Sequence, residues 1–513
     1  MQLPRVYVAL ATSSVVALLT ACTAGATPTP AAPAGPAAAE PTAQAIVREA
    51  LDAMGGEARL RAIHSVRMAT MASAPSIEGA DRPEPPWQMS HYLLDDWLDY
   101  AHGAWRKDVQ STVVDGGDGH LEKFSVIVVD GVAAVRFGDT VRPGGPVHVG
   151  DGAQHLINQP DRLALAARDA SDLWREGDAS IAGQPHHIVA FRQAGRSIRL
   201  WIDARTHRLN AAEIVHTLPE DAHWRGRGDI HDRLDFLRWT LEPTGVWLAR
   251  QHDQLREGRP FASFVVTSLE INAVRPDTFA ISDDIRAAYR ANARSLNSGY
   301  APGEQPVERI APGVWLAAAA RNELLIGQPA GSLLIDAPIS EIYVGRTFDE
   351  MQRRFATPIA AVILSNADLS SMAGIREAAV RGVAIRALDV SAGFVEGLLR
   401  APHTLEPDAL ARSGRRVTVE PVASRTVLGT GATRVELIPM RGTLNERVLL
   451  VWLPGPRLLW VADALGSGPN PNPSRLAEMS DVIARERLDV DIILGARGTP
   501  RRWADLQSSP VAR

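Results

Sequence analysis

The spacing of apolar residues changes partway along this chain, and that change limits the folds open to it. Between about residues 65 and 280 the apolar residues fall in short runs parted by turn signals: 124–129 before Asp130-Gly131, 188–191, 198–202, 234–241, 246–249 and 261–271. Glu242-Pro243-Thr244-Gly245 separates two of these runs as a hairpin loop. Residues 197–202 alternate polar and apolar, so the region is predicted to be an antiparallel meander with one buried and one wet face. Helices are expected before it: Ile46, Ala50, Leu51 and Met54 recur at helical spacing ahead of Gly55-Gly56, and a second short helix falls near 58–63. A curled sheet covered by a helix satisfies this pattern.

Asn, Ser, Gly and Pro collect over 291–306, which reads as a linker. Beyond it strands and helices alternate. Strands are expected at 313–317, 324–326, 332–335, 359–364, 383–388, 417–421, 434–438, 448–453, 458–461 and 490–494, with helices near 343–355, 372–381 and 474–487. Helices interleaved with mixed strands predict packed helix-on-sheet layers. The fold class is therefore α+β, with one folded region over 43–290 and another over 307–513.

Of the 54 basic residues only Lys107 and Lys123 are lysines, the rest are arginines, and they are scattered among 59 acids for a net charge of -5. No basic face is left for a phosphate backbone, so nucleic acid is not an expected partner. The single cysteine, Cys22, excludes an internal disulfide framework and any cysteine-based zinc cluster.

That cysteine follows an apolar stretch over 6–19, long enough for a signal peptide and shorter than the ~18 residues a membrane span needs. Leu19-Thr20-Ala21-Cys22 resembles the bacterial lipobox. The resemblance implies removal of 1–21, a diacylglycerol on Cys22, and a membrane partner. With Thr23 rather than Asp next, it implies a lipoprotein facing the periplasm, at the outer rather than the inner membrane. Residues 22–42, rich in Ala, Pro and Thr, then form a semi-extended tether.

The opening EALDAMGGEARLRAIHSVRM, the meander and the closing INAVRPDTFAIS resemble the LolA-like fold of periplasmic lipoprotein carriers. Eight of the twelve tryptophans fall here and could line a cavity for an acyl chain or other apolar ligand, or be ordinary core and rim aromatics. Thirteen of the fourteen histidines also precede residue 300, with spacings that fit no zinc pattern.

The second region carries VERIAPGVWL, SLLIDAP, IAAVILSNADLSSMAGIREA, APHTLEPDALA, VLLVWLPGPRLLWVADAL and VDIILGARGTPRRWADL. Together these resemble the metallo-β-lactamase fold of zinc hydrolases, an αββα sandwich. Active members end a strand in His-x-His-x-Asp-His, because a zinc pair needs imidazoles and a carboxylate converging from one turn. At those places this chain has Asn366, Asp368, Ser370 and Ser371. The next family histidine falls on Leu444, the bridging aspartate is kept as Asp463, and the last histidine falls on Ala496 or Arg497.

The one histidine after residue 300, His403, would give with Asp368 and Asp463 at most three mixed ligands, too few for a two-metal clamp. Arg497, if directed inward, could pair with Asp463 or Asp368 and replace the metal's charge. An all-oxygen site for Mg²⁺ or Ca²⁺ on Asn366, Asp368, Ser370 and Asp463 is the alternative cofactor. Ser370 and Ser371 lie in no Gly-x-Ser-x-Gly turn. The expectation is a non-catalytic binding or structural module with no catalytic residue and no cofactor. The alternative is a hydrolase of esters, thioesters or lactams with an unconventional metal site or none.

Overall fold

The computed structural model describes residues 40–77, 84–113, 120–292, 307–318, 321–465 and 471–508. The expected signal peptide, Cys22, nearly all of the tether and most of the linker lie outside these residues. The chain divides into a unit Met1–Pro41 and a compact unit Thr42–Arg513, which holds all of the architecture that follows.

The first helix, Ala43–Ala53, shows how local sequence sets the frame. Thr42 caps it by accepting a hydrogen bond from Ala45 N at 3.2 Å, and Ile46, Val47, Ala50 and Leu51 make its buried face. It ends at Gly55, whose φ of 115° and close approach to the Gly245 carbonyl, 2.5 Å from where a Cβ would stand, admit only glycine. The 242–245 hairpin loop is thereby held against the helix end.

The meander is a thirteen-stranded antiparallel sheet. Its first strand, Ser65–Pro75, pairs with its last, Arg259–Ile271, with Val66 opposite Ile271 and Ser73 opposite Ser263. From that seam the other strands run outward in chain order on one side, to the edge strand Thr140–Pro143, and in reverse chain order on the other, to the edge strand Trp174–Ile181. Helices Ala43–Ala53, Pro146–Ile157 and Pro160–Asp169 cover one face around Leu98, Trp105, Leu163, Phe191 and Phe236.

After residue 306 the chain makes two further sheets. The seven-stranded one begins antiparallel, from Val307–Ala311 to Ser332–Ile335, and continues with parallel strands Ile359–Ile363, Ala384–Leu388 and Val419–Val422. The six-stranded one runs from Thr426–Leu428 to Arg501–Arg502. Leu324, Ile326, Leu333 and Ile335 of the first sheet share a core with Leu437, Leu449, Val451 and Trp460 of the second. Glu341–Arg354 and Ile375–Arg381 pack the outer face of one, Pro473–Arg485 that of the other. The layering is helix, sheet, sheet, helix.

The loop 217–229 of the large sheet ties into this sandwich. Asp229 accepts from Thr404 N and Leu405 N, each at about 3.0 Å, and from the Thr404 hydroxyl, while its own N–H reaches Pro402 O at 2.9 Å. Burial would raise the Asp229 carboxyl, but these donors hold its pKa below the ordinary value. Arg225 Nε donates to Glu341 at 2.9 Å.

Candidate functional site

Two strand ends converge at the site. Ile359–Ile363 leads through Ser365 and Asn366 to Asp368, which caps the short helix Leu369–Met372 by accepting from Ser370 N and Ser370 Oγ, both at 2.7 Å. Leu458–Trp460 leads to Asp463, whose Oδ2 accepts from Asn366 Nδ2 at 3.1 Å. Leu449 N donates to Ser365 O at 2.8 Å, which locks the two sheets together beside them.

Between the carboxylates lies Arg321, two residues before the strand Glu323–Ile326. Its Nη2 donates to Asp368 Oδ2 at 2.8 Å, and its Nη1 to Asp463 Oδ2 at 2.5 Å and to Ser371 Oγ at 3.0 Å. Only 6% of its side chain is exposed. Burial disfavours the guanidinium's charge, yet Asp368 and Asp463 outweigh it and hold the pKa above the usual arginine value. Burial likewise works to raise the Asp368 carboxyl, and Arg321, His223 and Ser370 bring it below its ordinary value.

His223 comes from the loop 217–229, with Nδ1 3.9 Å from Asp368 Oδ1; that nitrogen is buried and has no hydrogen-bond partner among the described residues. Behind Arg321, Asp336 accepts from Ser365 N at 2.7 Å and Ser365 Oγ at 2.6 Å, and Trp460 Nε1 donates to the same hydroxyl at 3.0 Å. Burial, only partly offset by the Ser365 donors, pushes the Asp336 pKa up to about 7.

Of the residues singled out from sequence, Asn366, Asp368, Ser370, Ser371 and Asp463 meet here. Arg497 stands at the margin, half-exposed, with Nε 3.9 Å from Asp463 Oδ1. The cation between the two acids is Arg321, and Arg497 is its outlying neighbour. Ala496 contributes backbone, donating to Ala462 O at 2.8 Å and accepting from Asn322 N at 2.7 Å. Leu444 lies in a loop held by Glu478, to which its N–H donates at 3.0 Å. His403 faces Gly226 O at 3.4 Å and Asp408 at 3.8 Å, so it belongs to the seam with the large sheet.

A zinc pair, or a Mg²⁺ or Ca²⁺ ion shared by Asp368 and Asp463, does not fit this donor set. A buried guanidinium already holds the inner oxygens of both acids, and a cation placed between them would meet a fixed positive charge. Among the described residues no three His, Cys, Asp or Glu side chains converge as a metal site. Ser370 Oγ is committed to Asp368, and Ser371 Oγ accepts from Arg321. The imidazole at the cluster, His223, approaches Asp368 rather than either hydroxyl.

No family model matches the chain, and no curated protein does. Solved structures do. That of TMB-1 is 17% identical at a TM-score of 0.31, covering 39% of this chain and 93% of its own. A metallo-β-lactamase from Pontibacter korlensis is 14% identical at 0.32, covering 39% and 95%. The DIM-1 metallo-β-lactamase is 12% identical at 0.32, covering 39% and 93%.

Proposed function

We infer that this chain is a lipid-anchored protein of the cell envelope whose 307–513 region is a non-catalytic binding or structural module and whose 43–290 region holds an apolar ligand. One observation carries the first part: Arg321 spans Asp368 and Asp463 at hydrogen-bond distance on both sides. An ion pair thereby does the electrostatic work that two acids otherwise ask of a metal, and no cofactor is needed. Anchoring rests on the lipobox-like Leu19-Thr20-Ala21-Cys22, with Thr23 after it favouring a periplasm-facing outer-membrane site. The partners are then the membrane and an apolar ligand, not nucleic acid.

The test is metal analysis of protein lacking residues 1–22, equilibrated with zinc and dialysed, alongside ester, thioester and lactam turnover. Background zinc and no turnover are expected. Stoichiometric zinc with turnover abolished by a chelator overturns the reading.

A further inference from the structure

The covered face of the large sheet and the helix Pro146–Ile157 line a cavity of about 420 Å³, within the ~300–1,000 Å³ range of small-molecule sites. Its two walls differ in chemistry. Met68, Leu234, Phe236, Phe264 and Val266 give one wall its apolar side chains, with His252 and Gln254 set between them, whereas Asp96, Lys107, Gln154 and His155 bring polar groups to the other. None of the eight tryptophans of this region is part of the lining.

Lys107 is the unusual member. Its ammonium has three N–H donors. One goes to His155 Nε2 at 2.7 Å, and the ammonium forms a looser ion pair with Asp96 at 3.7 Å and lies 5.2 Å from the Trp105 ring centre. His155 is fixed as the neutral acceptor, because its Nδ1 faces Asp151 O at 2.9 Å and must carry the proton there. Burial, reinforced by Lys107, holds the ring's pKa down to about 3, so it adds no charge to the wall.

Arg256, Asp221 and Asp96 of the lining have partners of their own. Arg256 Nε and Nη2 donate to the two oxygens of Asp232 at 2.8 and 2.9 Å. Asp221 accepts from His223 N at 2.8 Å and Trp224 N at 3.3 Å. Asp96 accepts from Trp105 Nε1 at 3.2 Å, and burial pushes its carboxyl pKa up against the opposing pull of Lys107 and Trp105.

We propose that this cavity binds an amphipathic monocarboxylate, its aliphatic tail along the phenylalanine wall and its carboxylate on Lys107 Nζ. An anionic oxygen in this shielded setting takes the donors that His155 and Asp96 leave unused, a charge-assisted contact that an ester or alcohol cannot match. The proposal rests on the reading that this region holds an apolar ligand, and it adds the headgroup.

The experiment is calorimetric titration of the full chain carrying Cys22→Ser, so that no acyl group is attached, with dodecanoate, methyl dodecanoate and dodecanol below their aggregation limits. Dodecanoate is expected to bind at least about tenfold tighter than the other two. In Lys107→Met that preference is expected to vanish while the ester and alcohol bind as before. Equal affinities for all three in the unsubstituted cavity would overturn the headgroup assignment and leave the apolar-ligand reading standing. No binding of any of the three would overturn both. The comparison of three ligands needs no Lys107 variant, so it stands if Lys107→Met fails to fold.

Discussion

Each half of the chain places a cation beside buried carboxylates, and the two are wired in opposite ways. Arg321 gives three hydrogen bonds to Asp368, Asp463 and Ser371 at a convergence of strand ends. Lys107 gives one, to a neutral imidazole, and pairs more loosely with Asp96 at 3.7 Å, on the wall of a 420 Å³ cavity. A cation bound on both sides by its own chain is a structural strut, since any ligand must first displace those partners. A cation with donors to spare beside open volume that apolar side chains line in part is a place for a ligand. The half whose sequence resembles a hydrolase is therefore the closed one, and the sheet beside it is the open one.

The largest effect that would break this contrast is the removal of the strut. Arg321→Met leaves Asp368 and Asp463 without the guanidinium between them, and urea denaturation should show a loss of about 3–5 kcal/mol. Replacing all three in Arg321→Met/Asp368→Asn/Asp463→Asn should recover most of it, because the penalty belongs to the uncompensated charges. A loss under about 1 kcal/mol in the single variant would mean that Arg321 is not a strut.

Next in size is a pH effect from the acid behind Arg321. The Asp336 pKa is raised to about 7, while in the unfolded chain it lies near its ordinary value of 3.8. Between those values the unfolded state gives up its proton first, so stability falls as pH rises from about 4 to about 7 and levels off above. The fall attributable to this group is on the order of 2–4 kcal/mol. Asp336→Asn should flatten that limb in denaturation midpoints measured across the range; an unchanged slope would contradict the assignment.

A smaller change probes the seam. Asp229→Ala removes the acceptor of Thr404 N, Thr404 Oγ and Leu405 N, and should cost about 2 kcal/mol. If the large sheet and the sandwich then melt in two steps rather than one, Asp229 couples them. The smallest effect sharpens the contrast between two arginines. Arg497→Ala, removing a half-exposed group with no hydrogen bond to Asp463, should shift stability by less than about 0.5 kcal/mol.

The sequence was most legible where pattern and local chemistry agree. The helix Ala43–Ala53 carries its period, its Thr42 cap and its glycine stop together, and Ser332–Ile335 and Val448–Leu453 fall where their apolar runs predict. Strands such as Met89–Asp99 were hidden by their own acids, since three aspartates interrupt the alternation. The helix Pro146–Ile157, with two glycines and two valines, has a weak helical signal and is held by packing on the sheet. Asp389–Leu399, absent from the expected elements, follows directly on the strand Ala384–Leu388 with no turn residue to announce it.

At the site, Asp368 and Asp463 could be named from their motifs, but the cation between them could not. Arg321 lies 47 positions from Asp368 and 142 from Asp463, in a segment with no motif of its own. The sequence reading named Arg497 as the cation that could pair with these acids, and the structure places it at the margin, with Nε 3.9 Å from Asp463 Oδ1. His223 was harder still, because it reaches Asp368 from a loop of the other sheet.

Anomalous scattering at the zinc edge, from crystals of the native chain grown with zinc present, tests the central claim most directly. Guanidinium density between Asp368 and Asp463 is expected, with no anomalous peak there. A pair of zinc peaks between those carboxylates, with Arg321 turned away, would contradict it.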